Sequence, residues 1–253
     1  MRSLLSGLVD YWPLHEPSGT RYSALGRYNL TDNGTVTQNA GRQVYAGQFT
    51  AASSEYLSLA DQAEFSGDVD YTFWAWVYLD SVASTISILS KRTNTGNQRE
   101  YELRYQTGTG FSWLVSGDGI SITTVNDTSG GVASTATWYL VRSWHDSVGN
   151  VIGIQSNLNT PVTTAHSAGS FAGTSGFMIG ATLADAPVFF WDGRICEVGF
   201  TKRLLTDAEW FWLYNTGLGR TYPFDGRMSP AMLGRHPALA GPRRTRMVGL
   251  LAA

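Results

Sequence analysis

The chain has 253 residues, enough for one large domain with a buried core, and only 15% of them are charged. With 28 glycines and 13% aromatic residues, the composition points to an all-β sandwich or barrel. It excludes a coiled coil, a disordered tail protein and a basic nucleic-acid binder. The net charge of −2 hides a division, because residues 226–253 hold five arginines and no acid, a +5 tail on a body of −7. An acidic body repels phosphates, so nucleic acid is not an expected partner. No apolar run approaches the ~18 residues of a membrane helix, and no membrane insertion is expected. A single cysteine, Cys196, leaves neither a disulfide framework nor a cysteine-based zinc site. The first ten residues lack the apolar stretch of a secretion signal, which makes the cytoplasm the expected place of synthesis. The sequons at Asn29, Asn33 and Asn126 then read as turns.

Taken in chain order, the clearest element is the nine-residue run at 71–79. One face carries Tyr71, Phe73, Ala75, Val77 and Leu79, and the other Trp74, Trp76 and Tyr78. A strand apolar on both faces belongs in the middle of a sheet, with its second face under a loop or partner. Trp74, Trp76 and Tyr78 therefore read as covered core in preference to a sugar-stacking platform. Further strands are predicted at 86–89, 101–105, 111–115, 120–125, 138–144, 151–156, 177–180 and 194–200, with Gly149-Asn150 as a hairpin turn. Short spacings without intervening helices mean antiparallel sheets. One helix is predicted near 206–216. Thr206 and Glu209 form a capping box, Trp210, Leu213 and Tyr214 share a face, and Gly217 stands where a left-handed C-cap belongs. After Tyr222 the pattern stops. The remaining segment is rich in proline and arginine and ends in the apolar run at 247–251.

Little catalytic chemistry is encoded. No Gly-x-Ser-x-Gly elbow occurs, and His15, His145, His166 and His236 lie in unrelated segments. Asp146 reads as the residue that bonds the backbone of the Gly149-Asn150 turn. Glycoside hydrolysis needs two carboxylates ~5–10 Å apart. Glu100 and Glu102 are the nearest approach to such a pair, but Arg92, Arg99 and Arg104 close by make solvated ion pairs the simpler reading. Asp118-Gly119 and Asp192-Gly193 read as turns, so no calcium loop and no cofactor are predicted. For ligand binding, Trp113 is the candidate stacking aromatic, with Arg92 and Asp146 as candidate rim residues.

The stretch Gly7-Leu8-Val9-Asp10-Tyr11-Trp12-Pro13-Leu14, followed by Glu16 and Ser18-Gly19, resembles the opening of the laminin-G-like, concanavalin A-like jelly-roll domains. Glu55–Leu59, Phe73–Val77 and Thr137-Trp138-Tyr139 are similar to later strands of that family. Its closing pattern is matched by Trp191–Val198 together with Leu204–Glu209 and Leu213-Tyr214. The resemblance covers residues 7–222. It implies an all-β, two-sheet antiparallel jelly-roll sandwich with one short C-terminal helix, and a role in recognition or assembly in place of catalysis. Many members carry acids that support a calcium ion where this chain has Arg21-Tyr22-Ser23 and Cys196. Without those carboxylates the ion loses its attraction, and Cys196 reads as buried core.

The expected organisation is a jelly-roll domain over 1–225 and a docking tail over 226–253. The leading expectation is a non-enzymatic structural and recognition protein at a phage or virion surface, a capsid decoration or fibre-like component. Arg227, Arg235, Arg243, Arg244 and Arg246 would anchor it to a capsid or to sibling subunits. The alternatives are a carbohydrate-binding, lectin-like module located extracellularly and, less favoured, a glycoside hydrolase.

Overall fold

The computed structural model describes residues 4–224; the tail arginines and the 226–253 segment lie outside the described residues. Its strands, in chain order, are β1 (Leu8–Trp12), β2 (Thr31–Asn33), β3 (Thr37–Ala40), β4 (Tyr45–Phe49), β5 (Tyr56–Leu59), β6 (Tyr71–Leu79), β7 (Ile86–Lys91), β8 (Tyr101–Gln106) and β9 (Gly110–Val115). They continue as β10 (Thr123–Asn126), β11 (Trp138–Asp146), β12 (Val151–Ser156), β13 (Val162–Ala165), β14 (Phe177–Ile179), β15 (Thr182–Leu183), β16 (Pro187–Val188) and β17 (Gly193–Thr201). Two antiparallel sheets dominate. The eight-stranded sheet runs β13-β12-β11-β6-β17-β4-β3, with β1 also on β17, and the seven-stranded sheet runs β10-β9-β8-β7-β14-β5-β2. The predicted sandwich is therefore the observed one.

Strand β6 sits at the centre of its sheet, between β11 and β17. Tyr71, Phe73, Ala75, Val77 and Leu79 point between the sheets. Phe73 stacks on Phe200 at 4.2 Å, and Trp12 stacks on Phe177 at 5.7 Å. Trp74 and Trp76 point the other way, into a second apolar cluster with Leu8, Tyr11, Leu140, Cys196, Trp210 and Leu213. Helix α1 (Asp207–Tyr214) roofs this cluster. The capping box forms as predicted, with Thr206 Oγ1 accepting from the Glu209 N–H and the Glu209 carboxylate accepting from the Thr206 N–H. Asn215, not Gly217, provides the left-handed C-cap, because the last turn tightens into a 3-10 turn one residue after Tyr214. Burial pushes the Cys196 thiol up to about 12, which suits an inert core residue.

The strand predicted from 120 starts at Thr123. Asp118 Oδ1 accepts from the N–H groups of Ile120 and Ser121, and this turn takes those residues out of the ladder. The Gly149-Asn150 turn joins β11 to β12 as expected, with Asn150 at φ 52°. A bulge between Cys196 and Gly199 breaks the register of β17 on β6. Inside it, Glu197 takes the left-handed φ of 56°. Gly199 lies directly beneath the Trp74 indole, and a Cβ there would sit 2.0 Å from Cζ2. Replacing Gly199 by Ala should therefore destabilise the fold by about 1–3 kcal/mol through overpacking. Urea unfolding followed by tryptophan fluorescence measures this.

Candidate functional site

Side-chain alternation on β8 sends Tyr101, Leu103 and Tyr105 into the core and Glu102 and Arg104 onto the outer face of the seven-stranded sheet. Ser90 on β7 and Leu114 on β9 stand directly opposite Glu102. Arg92, just beyond β7, donates through Nη1 to Glu102 Oε2 at 2.9 Å, and Arg104 Nη1 lies 3.7 Å from the same oxygen. The Glu102 side chain is fully buried, and burial pushes its carboxyl above the usual range while the two guanidiniums oppose that shift. Its second oxygen, Oε1, and the Nε atoms of Arg92 and Arg104 make no hydrogen bonds among the described residues. Beside this triad lies a shallow depression, lined by residues that include Arg92, Arg99, Glu100, Glu102, Leu114, Ser116 and Ile122. Arg99 is held by Asn94 Oδ1 at 2.9 Å and the Ile120 carbonyl at 2.6 Å. Half-buried guanidiniums fixed beside an open depression are suited to a ligand carrying carboxylate groups.

Glu100 belongs to a different network. Its Oε2 accepts from Lys91 Nζ at 2.8 Å and Ser66 Oγ at 3.1 Å, while Lys91 also meets Asp61 and the Gly173 carbonyl. Burial raises the Glu100 carboxyl to about 7. The ion pairs foreseen here exist, but Glu100 and Glu102 are buried, not solvated. Each carboxylate is engaged by its own cations, Glu100 by Lys91 and Glu102 by Arg92 and Arg104.

Of the predicted binding residues, only Arg92 belongs to this site. Trp113 is 0% exposed, because positions 111, 113 and 115 of β9 all face inward, and its ring packs against Tyr71, Phe73 and Tyr101. It offers no stacking surface. Asp146 lies on the other sheet, in the β11–β12 turn, where Oδ1 accepts from the Gly149 N–H. The sequence named Glu102 only as a candidate hydrolytic acid and Arg104 only as its ion-pair partner, and Leu114 not at all, although charged residues alternating with Tyr101, Leu103 and Tyr105 mark an outer face. A calcium ion does not fit the first loop. The fully buried Arg21 already places its guanidinium there, donating to the Gly19 carbonyl at 2.7 Å and to the Val36 carbonyl. Cys196 is enclosed by Trp76 and its apolar neighbours.

The raised Glu100 carboxyl has a signed consequence. Between the ordinary carboxylate value of about 4.3 and about 7, the folded chain holds a proton that the unfolded chain has released. This group's contribution to stability is therefore complete below that window and is lost as pH rises through it. Gln at position 100 cannot titrate. Relative to Glu100→Gln, the native protein should thus gain melting temperature from pH 8 to pH 5. A difference constant with pH would refute the shift.

The fold matches solved binding domains. The binding domain of Paraclostridial Mosquitocidal Protein 1 superposes with a TM-score of 0.65 at 14% identity, over 84% of this chain and 52% of that one. A structure of botulinum neurotoxin type C, which depends on interaction with two ganglioside molecules to enter cells, gives 0.62 at 10% over 85% and 52%. The binding domain of botulinum neurotoxin DC in complex with rat synaptotagmin II gives 0.64 at 12%, again over 85% and 52%. The chain thus spans about half the length of these chains. No curated protein sequence matches it. A family model described as the concanavalin A-like lectin/glucanases superfamily matches residues 51–209, and the chain belongs to that superfamily.

Proposed function

We propose that the protein is a non-catalytic recognition module that binds acidic glycans in the depression lined by Arg92, Arg99 and Glu102. The observation that carries this reading is the pair of half-buried guanidiniums, Arg92 and Arg99, held beside the depression by Glu102, Asn94 and the Ile120 carbonyl. Arg92 and Arg99 line the depression together with Glu100 and Glu102, and each acid already has its own cation, which favours a ligand carrying its own carboxylate. Ganglioside dependence and protein-receptor binding among proteins of this fold are consistent with a recognition role. On an array of immobilised acidic oligosaccharides, the native protein should be retained. Glu102→Gln and Arg92→Ala should bind at least about tenfold more weakly, the scale of one lost charged hydrogen bond. Absence of binding to every acidic glycan overturns the reading.

The charge division supports a second, compatible role. A +5 tail beside a −7 body suits anchoring to an acidic surface, and we propose that residues 226–253 fix the domain within a larger assembly, such as a virion surface. Light scattering should then give a discrete oligomer for the full chain and a monomer for a version ending at Asp225. Added salt should weaken the oligomer. A monomer in both forms would remove self-assembly through the tail.

A further inference from the structure

Lys91, the last residue of β7, turns its side chain inward. It stands opposite Tyr101 on β8 and Phe177 on β14, both core residues, and directly opposed residues share a face. The side chain is fully buried and ends among three connections: Asp61 between β5 and β6, Glu100 between β7 and β8, and Gly173 between β13 and β14. Nζ lies 2.9 Å from Asp61 Oδ1, 2.8 Å from Glu100 Oε2 and 2.6 Å from the Gly173 carbonyl oxygen.

One buried amine thus faces two carboxyl groups whose surroundings differ. The Glu100 side chain is fully buried, and its Oε2 also accepts from Ser66 Oγ at 3.1 Å and the Gly173 N–H at 3.3 Å. Among the described residues its Oε1 has no hydrogen-bond partner. Burial raises this carboxyl to about 7, so it takes up and releases a proton near neutrality. The Asp61 side chain is 36% exposed, which opens its end of the cluster to solvent. A buried ion pair contributes little stability by itself, so packing alone does not call for a lysine here.

We propose that Lys91 Nζ and Asp61 Cγ condense to an intramolecular isopeptide bond, with Glu100 carrying the protons between them. Holding the amine against the carboxyl makes the reaction intramolecular, and well-oriented intramolecular reactions reach effective molarities of about 10⁵–10⁸ M. Starting from ammonium and carboxylates, Glu100 takes one proton from Nζ and passes it to an Asp61 oxygen. The free amine attacks Cγ, and the C–N bond forms as the C=O bond opens. Glu100 then removes a second proton from the nitrogen and delivers it to the Asp61 hydroxyl, which leaves as water as the C=O bond closes. One N–H remains on the amide, Glu100 ends as it began, and no oxidant or reductant is consumed. The bond ties the β5–β6 connection to β7 and restricts the unfolded chain as a disulfide does.

Intact mass spectrometry of the full chain, unfolded in denaturant, tests this. The native protein should weigh one water less than its sequence. Cleavage after glutamate should leave fragments 56–64 and 65–100 joined, since Asp61 lies in the first and Lys91 in the second. The chain's two lysines are Lys91 and Lys202, so Lys202→Arg should keep the bond and Lys91→Arg should lose it. Asp61→Ala, at a partly exposed position, should lose it as well, and its melting curve checks that the variant folds. Glu100→Gln should lower the joined fraction at least tenfold. A native mass equal to that of the sequence, or fragments that stay joined in Asp61→Ala, overturns the proposal. Undiminished joining in Glu100→Gln overturns the proton transfer assigned to Glu100.

Discussion

Strand β6 is apolar on both faces, and that constraint organises the eight-stranded sheet. Its inward residues are satisfied by the opposite sheet, but Trp74 and Trp76 require a second cover that a two-layer sandwich does not supply. Helix α1 is that cover. Its Trp210 and Leu213 enter the outer cluster, and its first turn is tied down by Arg142, whose guanidinium lies 5.1 Å from both the Trp144 and Trp210 rings and 2.7 Å from Asp207. Arg203 adds two 2.8 Å bonds to the Glu209 carboxylate of the capping box. The helix is held by charge at its start and by apolar burial along its length.

The two sheets solve the problem of their outer faces differently. Where the eight-stranded sheet uses aromatic rings and a helix, the seven-stranded sheet buries ion pairs. Lys91 with Glu100 and Arg92 with Glu102 are each almost fully enclosed. Buried pairs are poor sources of stability, because desolvation offsets most of their attraction, so an apolar replacement would serve packing equally well. Retaining charge there accords with the recognition role proposed for this face. The carboxyls shifted upward by burial, Glu100 and Glu102, sit beside the depression, as perturbed acids do at functional sites.

Much of the fold was legible because its signals are local. Period-2 alternation located β6, β8, β9, β11, β12 and β17, and the Thr206–Glu209 spacing located the helix start. Strands β2, β3 and β13 escaped because short polar edge strands have no buried face to impose alternation. The depression was only partly legible. Arg92 could be named as polar and near a turn, but its engagement with Glu102 depends on β7–β8 register, which sequence does not reveal. Trp113 failed for the complementary reason. Its alternation with Phe111 and Val115 was visible, yet a lone Trp between Ser112 and Leu114 does not announce which side faces the core.

The segment after the helix completes the cover over the outer cluster. Gly219 crosses Trp76 so closely that a Cβ there would lie 2.7 Å from the indole nitrogen. Arg42 and Gln43, in the β3–β4 turn, grip the carbonyls of Gly217 and Leu218 on the way. Beyond that point Tyr222 and Phe224 pack on Tyr11, at 6.1 and 5.0 Å, on the β1 side of the sheet. Tyr11 in turn donates to Glu197, whose left-handed backbone in the β17 bulge turns its carboxyl toward β1 and within 3.0 Å of His15. Full burial holds that carboxyl well above its ordinary range, and Thr221 of the crossing segment contributes a hydrogen bond to it. A bulge in β17 and a turn after β3 thus hold the crossing segment over Trp76 and Tyr11, and the same anchoring seals Trp74 and Trp76.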